Sequence, residues 1–146
     1  MPSVSFGKAA SCMKPSPKDE AGRWLKQAGH VLKVAQTLLR DECYAECCFH
    51  AEQTAQLALK AFLYGQGERF VTLHSVKQLV ERCATYDPAF LQVIDAGKVL
   101  DQYYIPTRYP DAIGFPGVPY ETYTARQANE AVQLAETLMR LVRSNV

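Results

Sequence analysis

The chain has 146 residues, of which 48% are hydrophobic, and its 16 basic and 15 acidic residues leave a formal net charge of +1. A chain of this length and composition can bury the core of one domain, which excludes a largely disordered protein. A protein that holds a long stretch of nucleic acid through its phosphates is usually more basic, so any nucleic-acid contact is expected to be local.

Apolar residues recur every three or four positions in five stretches, and this periodicity predicts an all-α fold, an up-and-down antiparallel bundle of about five helices. Residues 1–17 are rich in Ser and Pro and are predicted to form a flexible tail, with the bundle spanning 18–146. The first helix is predicted from Asp19 to Arg40 and the second from Tyr44 to Tyr64, with Gly65 as its terminating residue. Small side chains recur along one face of the second helix, at Cys48, Ala51, Ala55 and Ala58.

The second half of the chain is predicted to hold three further helices. The third runs from Val76 to Tyr86 and is capped by Ser75. The fourth begins at Pro88, after a break, and runs to about Tyr104. The last runs from Ala125 to Val142, with Thr124 as its cap. Two stretches are predicted to be loops, 66–74 and 105–123, and the second holds four of the eight prolines.

Short connections between consecutive helices favour antiparallel neighbours. In that arrangement both predicted loops lie at one end of the bundle, together with the N-termini of helices 1, 3 and 5. Helix N-termini attract anions, arginine forks onto phosphate oxygens, and tyrosines stack on bases. The sequence therefore predicts a nucleotide or phosphate site at this end, formed by Ser75, Tyr104, Thr107, Arg108, Tyr109 and Asp111.

Arg108 has two alternative partners at this stage. It lies between two prolines, which restrict the backbone and hold the guanidinium in place. One alternative is an external phosphate, and the other is an internal carboxylate, Asp101 or Asp111. Because both acids are near in sequence and the chain has no wider basic surface, the internal ion pair is favoured.

The five cysteines, at positions 12, 43, 47, 48 and 83, show no paired spacing typical of a zinc or redox site. They are interpreted as small core residues, and no metal or other cofactor is expected. The sequence has no secretory signal pattern at its N-terminus and no apolar run long enough to span a bilayer, so a soluble, cytoplasmic protein is expected.

Two segments resemble the HEPN family (higher eukaryotes and prokaryotes nucleotide-binding), in its small stand-alone prokaryotic form. They are CFHAEQTAQLALKAFL over 48–63 and LDQYYIPTRYPD over 100–111, and the His74-Ser75 start of the third helix also fits. The resemblance covers nearly the whole chain after the tail, and the second segment is the more specific. The chain departs from the family at Gln56, where such domains often carry an acidic residue.

The resemblance implies a helical bundle that usually dimerises and is encoded near a minimal nucleotidyltransferase. Some members are metal-independent ribonucleases with an R-x(4–6)-H motif, and Arg69 and His74 match that spacing. Three hypotheses follow. The chain is a nucleotide- or RNA-binding module that acts with a nucleotidyltransferase in a toxin–antitoxin type system, a ribonuclease toxin with Arg69 and His74 as catalytic residues, or a structural dimerisation domain. A homodimer is also expected, because the small-residue face of the second helix and the apolar stripes of more than one helix offer more hydrophobic surface than one small bundle buries.

Overall fold

The computed structural model describes residues 14–146, and no strand occurs among them. The predicted all-α fold is confirmed. Residues 1–13 of the predicted tail lie outside the described residues, and Pro17 already belongs to the first helix. The α-helices are α1 (Pro17–Arg40), α2 (Tyr44–Gly65), α3 (Val76–Ala84), α4 (Ile94–Asp101), α5 (Pro119–Thr122) and α6 (Ala125–Arg143).

Side-chain caps fix where three of these helices begin. Ser75 accepts a hydrogen bond from the Gln78 amide at the start of α3, and Thr124 forms a capping box with Gln127 at the start of α6, which confirms both predicted caps. The third cap is a second capping box, between Ser16 and Asp19, and it starts α1 two residues earlier than the periodicity indicates. Free backbone N–H groups at each start are thereby satisfied.

The predicted fourth helix is divided in the structure. The Asp87 carboxylate accepts a hydrogen bond from the Ala89 amide, and Pro88 opens a 3₁₀ helix, Pro88–Val93, before α4 begins. α4 then ends at Asp101, three residues before the predicted end. The predicted 105–123 loop likewise contains two short helical turns, Pro110–Ala112 and Pro119–Thr122. Each opens with proline, whose fixed φ suits the first helical position.

α2 is the central helix of the core. Its small residues Ala51, Ala55 and Ala58 are fully buried, and its Phe62 ring packs against Phe90 with ring centroids 4.5 Å apart. The small side chains allow neighbouring helices to approach closely, so this face is covered by the chain itself. This face is therefore not available to a second copy, and the expected homodimer would need another surface.

α3 runs in the same direction as α2, which differs from the predicted strict alternation. The start of α3 is bonded to Asp101, and its end donates from Cys83 Sγ to the Leu59 carbonyl oxygen, 3.6 Å away. Tyr86, just beyond α3, packs against Phe62 near the end of α2. α6 also runs with α2, because Cys47 contacts the Ala128 carbonyl oxygen near its start.

α3 runs in the same direction as α2 because of the conformation of residues 66–75. Residues 66–67 form a turn, and the segment is non-helical from Glu68 to Ser75 and returns along α2; eight extended residues span at most about 28 Å. Val71 and Leu73 pack against the core, whereas Thr72 and His74 between and after them are exposed. The segment therefore joins the two ends of the bundle. Ala21 near the start of α1 lies beside Gly65 at the end of α2, so α1 begins at the end of the bundle where α2 finishes. α3 and α6 run with α2 and begin at the other end. The prediction that the N-termini of the first, third and last helices share one end is therefore wrong.

Candidate phosphate-binding site

The guanidinium of Arg108 lies among three aromatic rings. Its central carbon is 4.4 Å from the ring centroid of Phe49 and 5.0 Å from those of Tyr104 and Tyr109. Two of its nitrogens donate hydrogen bonds to the Tyr104 carbonyl oxygen, Nε at 3.0 Å and Nη2 at 2.7 Å. The ring of His74 stacks on Tyr104 at a centroid distance of 5.7 Å and an interplanar angle of 16°. We name these five residues the Arg108 cluster.

Arg108 forms no ion pair with a carboxylate among the described residues, so the favoured pairing with Asp101 or Asp111 is wrong. Asp111 is exposed in the Pro110–Ala112 turn. Arg108 is exposed as well. Two of its five N–H groups donate to Tyr104, and the other three take no part in those bonds. The guanidinium is therefore positioned by a backbone carbonyl and by cation–π contacts.

The carboxylate of Asp101 accepts hydrogen bonds from the start of α3. The donors are Ser75 Oγ at 2.7 Å, the Val76 amide at 2.5 Å and the Lys77 amide at 3.2 Å. Gly97 makes this possible, because a Cβ at that position would lie 3.0 Å from the Lys77 backbone. The close approach of α4 to α3 thus brings a carboxylate to a helix N-terminus, where negative charge is stabilised.

Glu52 is a fully buried carboxyl group next to the Arg108 cluster. It accepts hydrogen bonds from the side-chain amides of Gln56 and Gln53. Burial raises the pKa of Glu52 to about 7, and the negative charge of Asp101 adds to this, while both amides and Arg108 oppose it. Glu52 is therefore partly protonated near neutral pH.

The other predicted site residues are distributed between structural and exposed positions. Thr107 is buried and donates to the Tyr103 carbonyl oxygen at 2.7 Å, so it orders the turn that carries Arg108. Ser75 is committed to capping α3 and to Asp101. Tyr104 and Tyr109 lie in the cluster itself. The structure thus brings Tyr104, Arg108 and Tyr109 together as predicted and adds His74 to them.

Arg69 and His74, the predicted catalytic pair, lie in different surroundings. Arg69 lines a cleft beside Trp24 and Tyr64, near the start of α1. His74 stacks on Tyr104, at the end of the extended segment. The arginine that shares an aromatic neighbour with His74 is Arg108.

Two residues of α2, Phe49 and Glu52, were missed as parts of the site. A buried glutamate on a face of small residues is unusual, since glutamate is seldom fully buried without a partner. That single acid among the small residues of the helix was the available signal for Glu52. Nothing in the local sequence indicated that Phe49 would lie under an arginine 59 positions later.

Three of the cysteines are core residues, as the sequence predicted. Cys47, Cys48 and Cys83 are fully buried, and burial raises the pKa of Cys47 to about 11 and that of Cys48 to about 12. Cys43 is half-buried, and Cys12 lies outside the described residues. Within residues 14–146 no group of three or more His, Cys, Asp or Glu side chains could hold a metal ion. Over the same range no helix is long and apolar enough to cross a membrane.

The fold and the cluster together define a small helical-bundle domain with an outward-facing arginine. Residues 21–145 match the family model of the HEPN domain, and the chain belongs to that family. The resemblance inferred from the two segments is thereby confirmed.

Relatives and solved structures agree with this assignment. A protein of Methanocaldococcus jannaschii named "Putative toxin MJ1304" is 26% identical over 127 residues, which cover 82% of this chain and 84% of that protein. The crystal structure of TT1696 from Thermus thermophilus is similar with a TM-score of 0.76 and 38% identity, covering 87% of this chain and 98% of that one. The crystal structure of ST0689, an archaeal HEPN homologue, has a TM-score of 0.69 and 32% identity, covering 86% and 96%.

Proposed function

We propose that this chain is a nucleotide- or RNA-binding HEPN module, and that the Arg108 cluster holds a phosphate and an adjacent base. The supporting observation is the exposed guanidinium of Arg108, which is held in place without a carboxylate partner among the described residues. A fixed arginine binds phosphate oxygens at a low cost in side-chain entropy. Aromatic side chains beside it offer faces on which a base stacks.

The nearby acids weaken this site less than their number suggests. Asp101 directs its carboxylate to the donors at the start of α3. Glu52 has a pKa of about 7, so a fraction of it is neutral at physiological pH. Arg108 therefore faces solvent with much of its positive charge uncompensated. This favours binding of a small anionic group, such as one or two phosphates, over a long polyanion.

In this proposal the module acts with a minimal nucleotidyltransferase in a toxin–antitoxin type system. Support comes from membership of the HEPN family and from similarity to an archaeal protein whose name describes it as a toxin. The homodimer also remains a proposal, and its surface must lie elsewhere than on the buried small-residue face of α2.

Replacing Arg108 with Ala is expected to weaken binding of a 5′-phosphorylated adenine dinucleotide by about 1.5–3 kcal/mol, or about 10- to 150-fold, since a charge-assisted hydrogen bond is lost. Isothermal titration calorimetry measures this effect. The melting temperature should change little, because Arg108 is exposed and carries no ion pair among the described residues.

The matched control is Arg126→Ala, which removes an equal charge from an exposed position in the first turn of α6. It should leave the affinity within about twofold. An equal loss in both variants would mean that only net charge matters. Loss of stability in Arg108→Ala with unchanged affinity would mean that the cluster merely orders its loop, and either result contradicts the proposal.

A second candidate function is metal-independent RNA cleavage, in which His74 acts as the base on the ribose 2′-hydroxyl. The attacking 2′-oxygen displaces the 5′-oxygen of the next nucleotide, which takes up a proton from water to become a hydroxyl, and a cyclic phosphate is left, while an arginine stabilises charge on the phosphorus oxygens. The spacing to His74 favours Arg69 as that arginine, and the shared contact with Tyr104 favours Arg108. The exposed position of His74 is the observation that supports this candidate.

Replacing His74 with Ala is expected to abolish cleavage of a short single-stranded RNA in the presence of a chelator, a loss of at least about 100-fold. Gel analysis of end-labelled RNA, with detection of the cyclic phosphate, measures it. His50→Ala is the control, because His50 bonds to the Glu46 carbonyl oxygen within α2. Comparing Arg69→Ala with Arg108→Ala identifies the catalytic arginine. Cleavage that persists in His74→Ala contradicts this function.

A further inference from the structure

A recess lies at the end of the bundle away from the start of α2. It forms a cleft of about 500 Å³ between the start of α1 and the beginning of the 66–75 segment. The rings of Trp24 and Tyr64 make one wall, with centroids 4.8 Å apart and an interplanar angle of 35°. Such a volume suits a small organic ligand. The side chains that line it most directly are Lys14, Glu20, Trp24, Tyr64, Arg69 and Phe70.

The charges of this cleft are unevenly compensated. Glu20 is paired with Arg23 at 2.7 Å. Glu68 is held by Arg82 at 2.9 Å and by the Tyr86 hydroxyl at 2.7 Å. Arg69, by contrast, has no carboxylate partner among residues 14–146. The lining therefore presents the charge of Arg69 beside an aromatic wall, and its two acidic groups are already ion-paired with other arginines.

The backbone that carries Arg69 is held in an uncommon conformation. Phe70 has φ 57°, the left-handed region that bulky residues seldom adopt, and its side chain is 87% exposed. The Val71 amide donates a hydrogen bond to the Tyr64 hydroxyl at 3.1 Å, which fixes the segment to the aromatic wall. Strained residues of this kind concentrate at ligand sites. The arrangement places an exposed Phe ring and a guanidinium at the mouth of one cleft.

We propose that this cleft binds a small molecule that carries a flat aromatic ring and an anionic group. The ring stacks against Trp24 and Tyr64, and the anion pairs with Arg69. The site is separate from the Arg108 cluster, which lies near the start of α2, whereas Tyr64 is at its end. The proposal is therefore independent of the phosphate site proposed at Arg108.

Trp24 is the only tryptophan of the chain, so a change in its fluorescence reports binding beside its ring, and the Arg69 variant shows whether this cleft is the one occupied. Adenosine 5′-monophosphate should change the emission of Trp24 saturably in the full chain. Adenosine, which lacks the anion, and inorganic phosphate, which lacks the ring, should each bind at least about tenfold more weakly, the effect of about 1.4 kcal/mol. An aromatic carboxylate such as 4-hydroxybenzoate distinguishes a need for phosphate from a need for any anion. Binding of that carboxylate as tightly as the nucleotide supports the broader ligand class, and its failure narrows the class to phosphates.

Arg69→Ala should weaken the fluorescence-detected affinity about tenfold or more, while Arg126→Ala leaves it unchanged. Arg108→Ala should also leave it unchanged, whatever that variant does to dinucleotide binding measured by calorimetry. Equal responses in Arg69→Ala and in the unaltered chain would overturn the proposal. So would the absence of any Trp24 response, equal affinity for phosphate alone, or loss of the response in Arg108→Ala.

Discussion

Replacing Asp101 with Ala should lower the free energy of unfolding by about 2–4 kcal/mol, because three donors at the start of α3 lose a charged acceptor together. The carboxylate accepts from Ser75 Oγ and from the Val76 and Lys77 amides. These bonds join the end of α4 to the beginning of α3, and they are partly shielded from water. The loss should be less than the sum of three separate bonds, since the bonds share one group. Urea unfolding followed by circular dichroism measures the change.

The matched control is Asp95→Ala in the same helix. Asp95 is exposed and makes only a surface pair with Lys98 at 3.6 Å, so its loss should change stability by about 0.5 kcal/mol or less. Asp101→Asn keeps one acceptor oxygen and should fall between the two. Amide hydrogen exchange should also accelerate in α3 before it does in α2, because the lost bonds hold α3 in place. An Asp101→Ala protein as stable as the Asp95→Ala protein would contradict the assigned role.

The helices themselves could be predicted from the sequence because local patterns of residues indicate where each one lies. Apolar periodicity marked the faces of α1 and α6, and Ser75 and Thr124 marked the beginnings of α3 and α6. The direction of α3 is marked by no such pattern. It depends on whether residues 66–75 reverse at once or return along α2, and both are compatible with a segment of that length. Only the alternation of apolar Val71 and Leu73 with polar Thr72 and His74 was compatible with the packed, extended return that the structure shows.

The candidate site was predictable in composition and less so in its contacts. The tyrosines around Arg108 are neighbours in sequence, and the structure brings them together. The partner of Arg108 was wrongly inferred because proximity in sequence says little about what an acid is bonded to. Asp101 is committed to the α3 N-terminus through contacts with residues about 25 positions away. Contacts at that separation are fixed by packing, which no local pattern encodes.

Replacing Glu52 with Gln should make the protein more stable at alkaline pH and leave its stability almost unchanged in acid. The carboxyl has a pKa of about 7 in the folded chain, against an ordinary value of 4.5. Between these values the folded state binds more protons than the unfolded chain, so the free energy of unfolding falls as pH rises and stays low above about pH 7. The free energy of unfolding that is lost over this pH range, at about 1.4 kcal/mol per pH unit, amounts to about 3 kcal/mol. A glutamine is neutral throughout and does not lose that stability.

The measurement is a set of urea unfolding curves at about pH 4.5, 6 and 8.5, compared between the two proteins at each pH. Glu52→Gln should gain up to about 3 kcal/mol over the unaltered chain at the highest pH and little at the lowest, which isolates Glu52 from groups common to both. Glu46→Gln is the control, because Glu46 is an exposed residue of the same helix, and the free energy of unfolding of this variant should stay within about 0.5 kcal/mol of that of the unaltered chain. If Glu52 instead forms a stabilising ionised contact with Arg108, Glu52→Gln will be the less stable protein at the highest pH. That outcome would show that the charge of Arg108 outweighs the burial of Glu52.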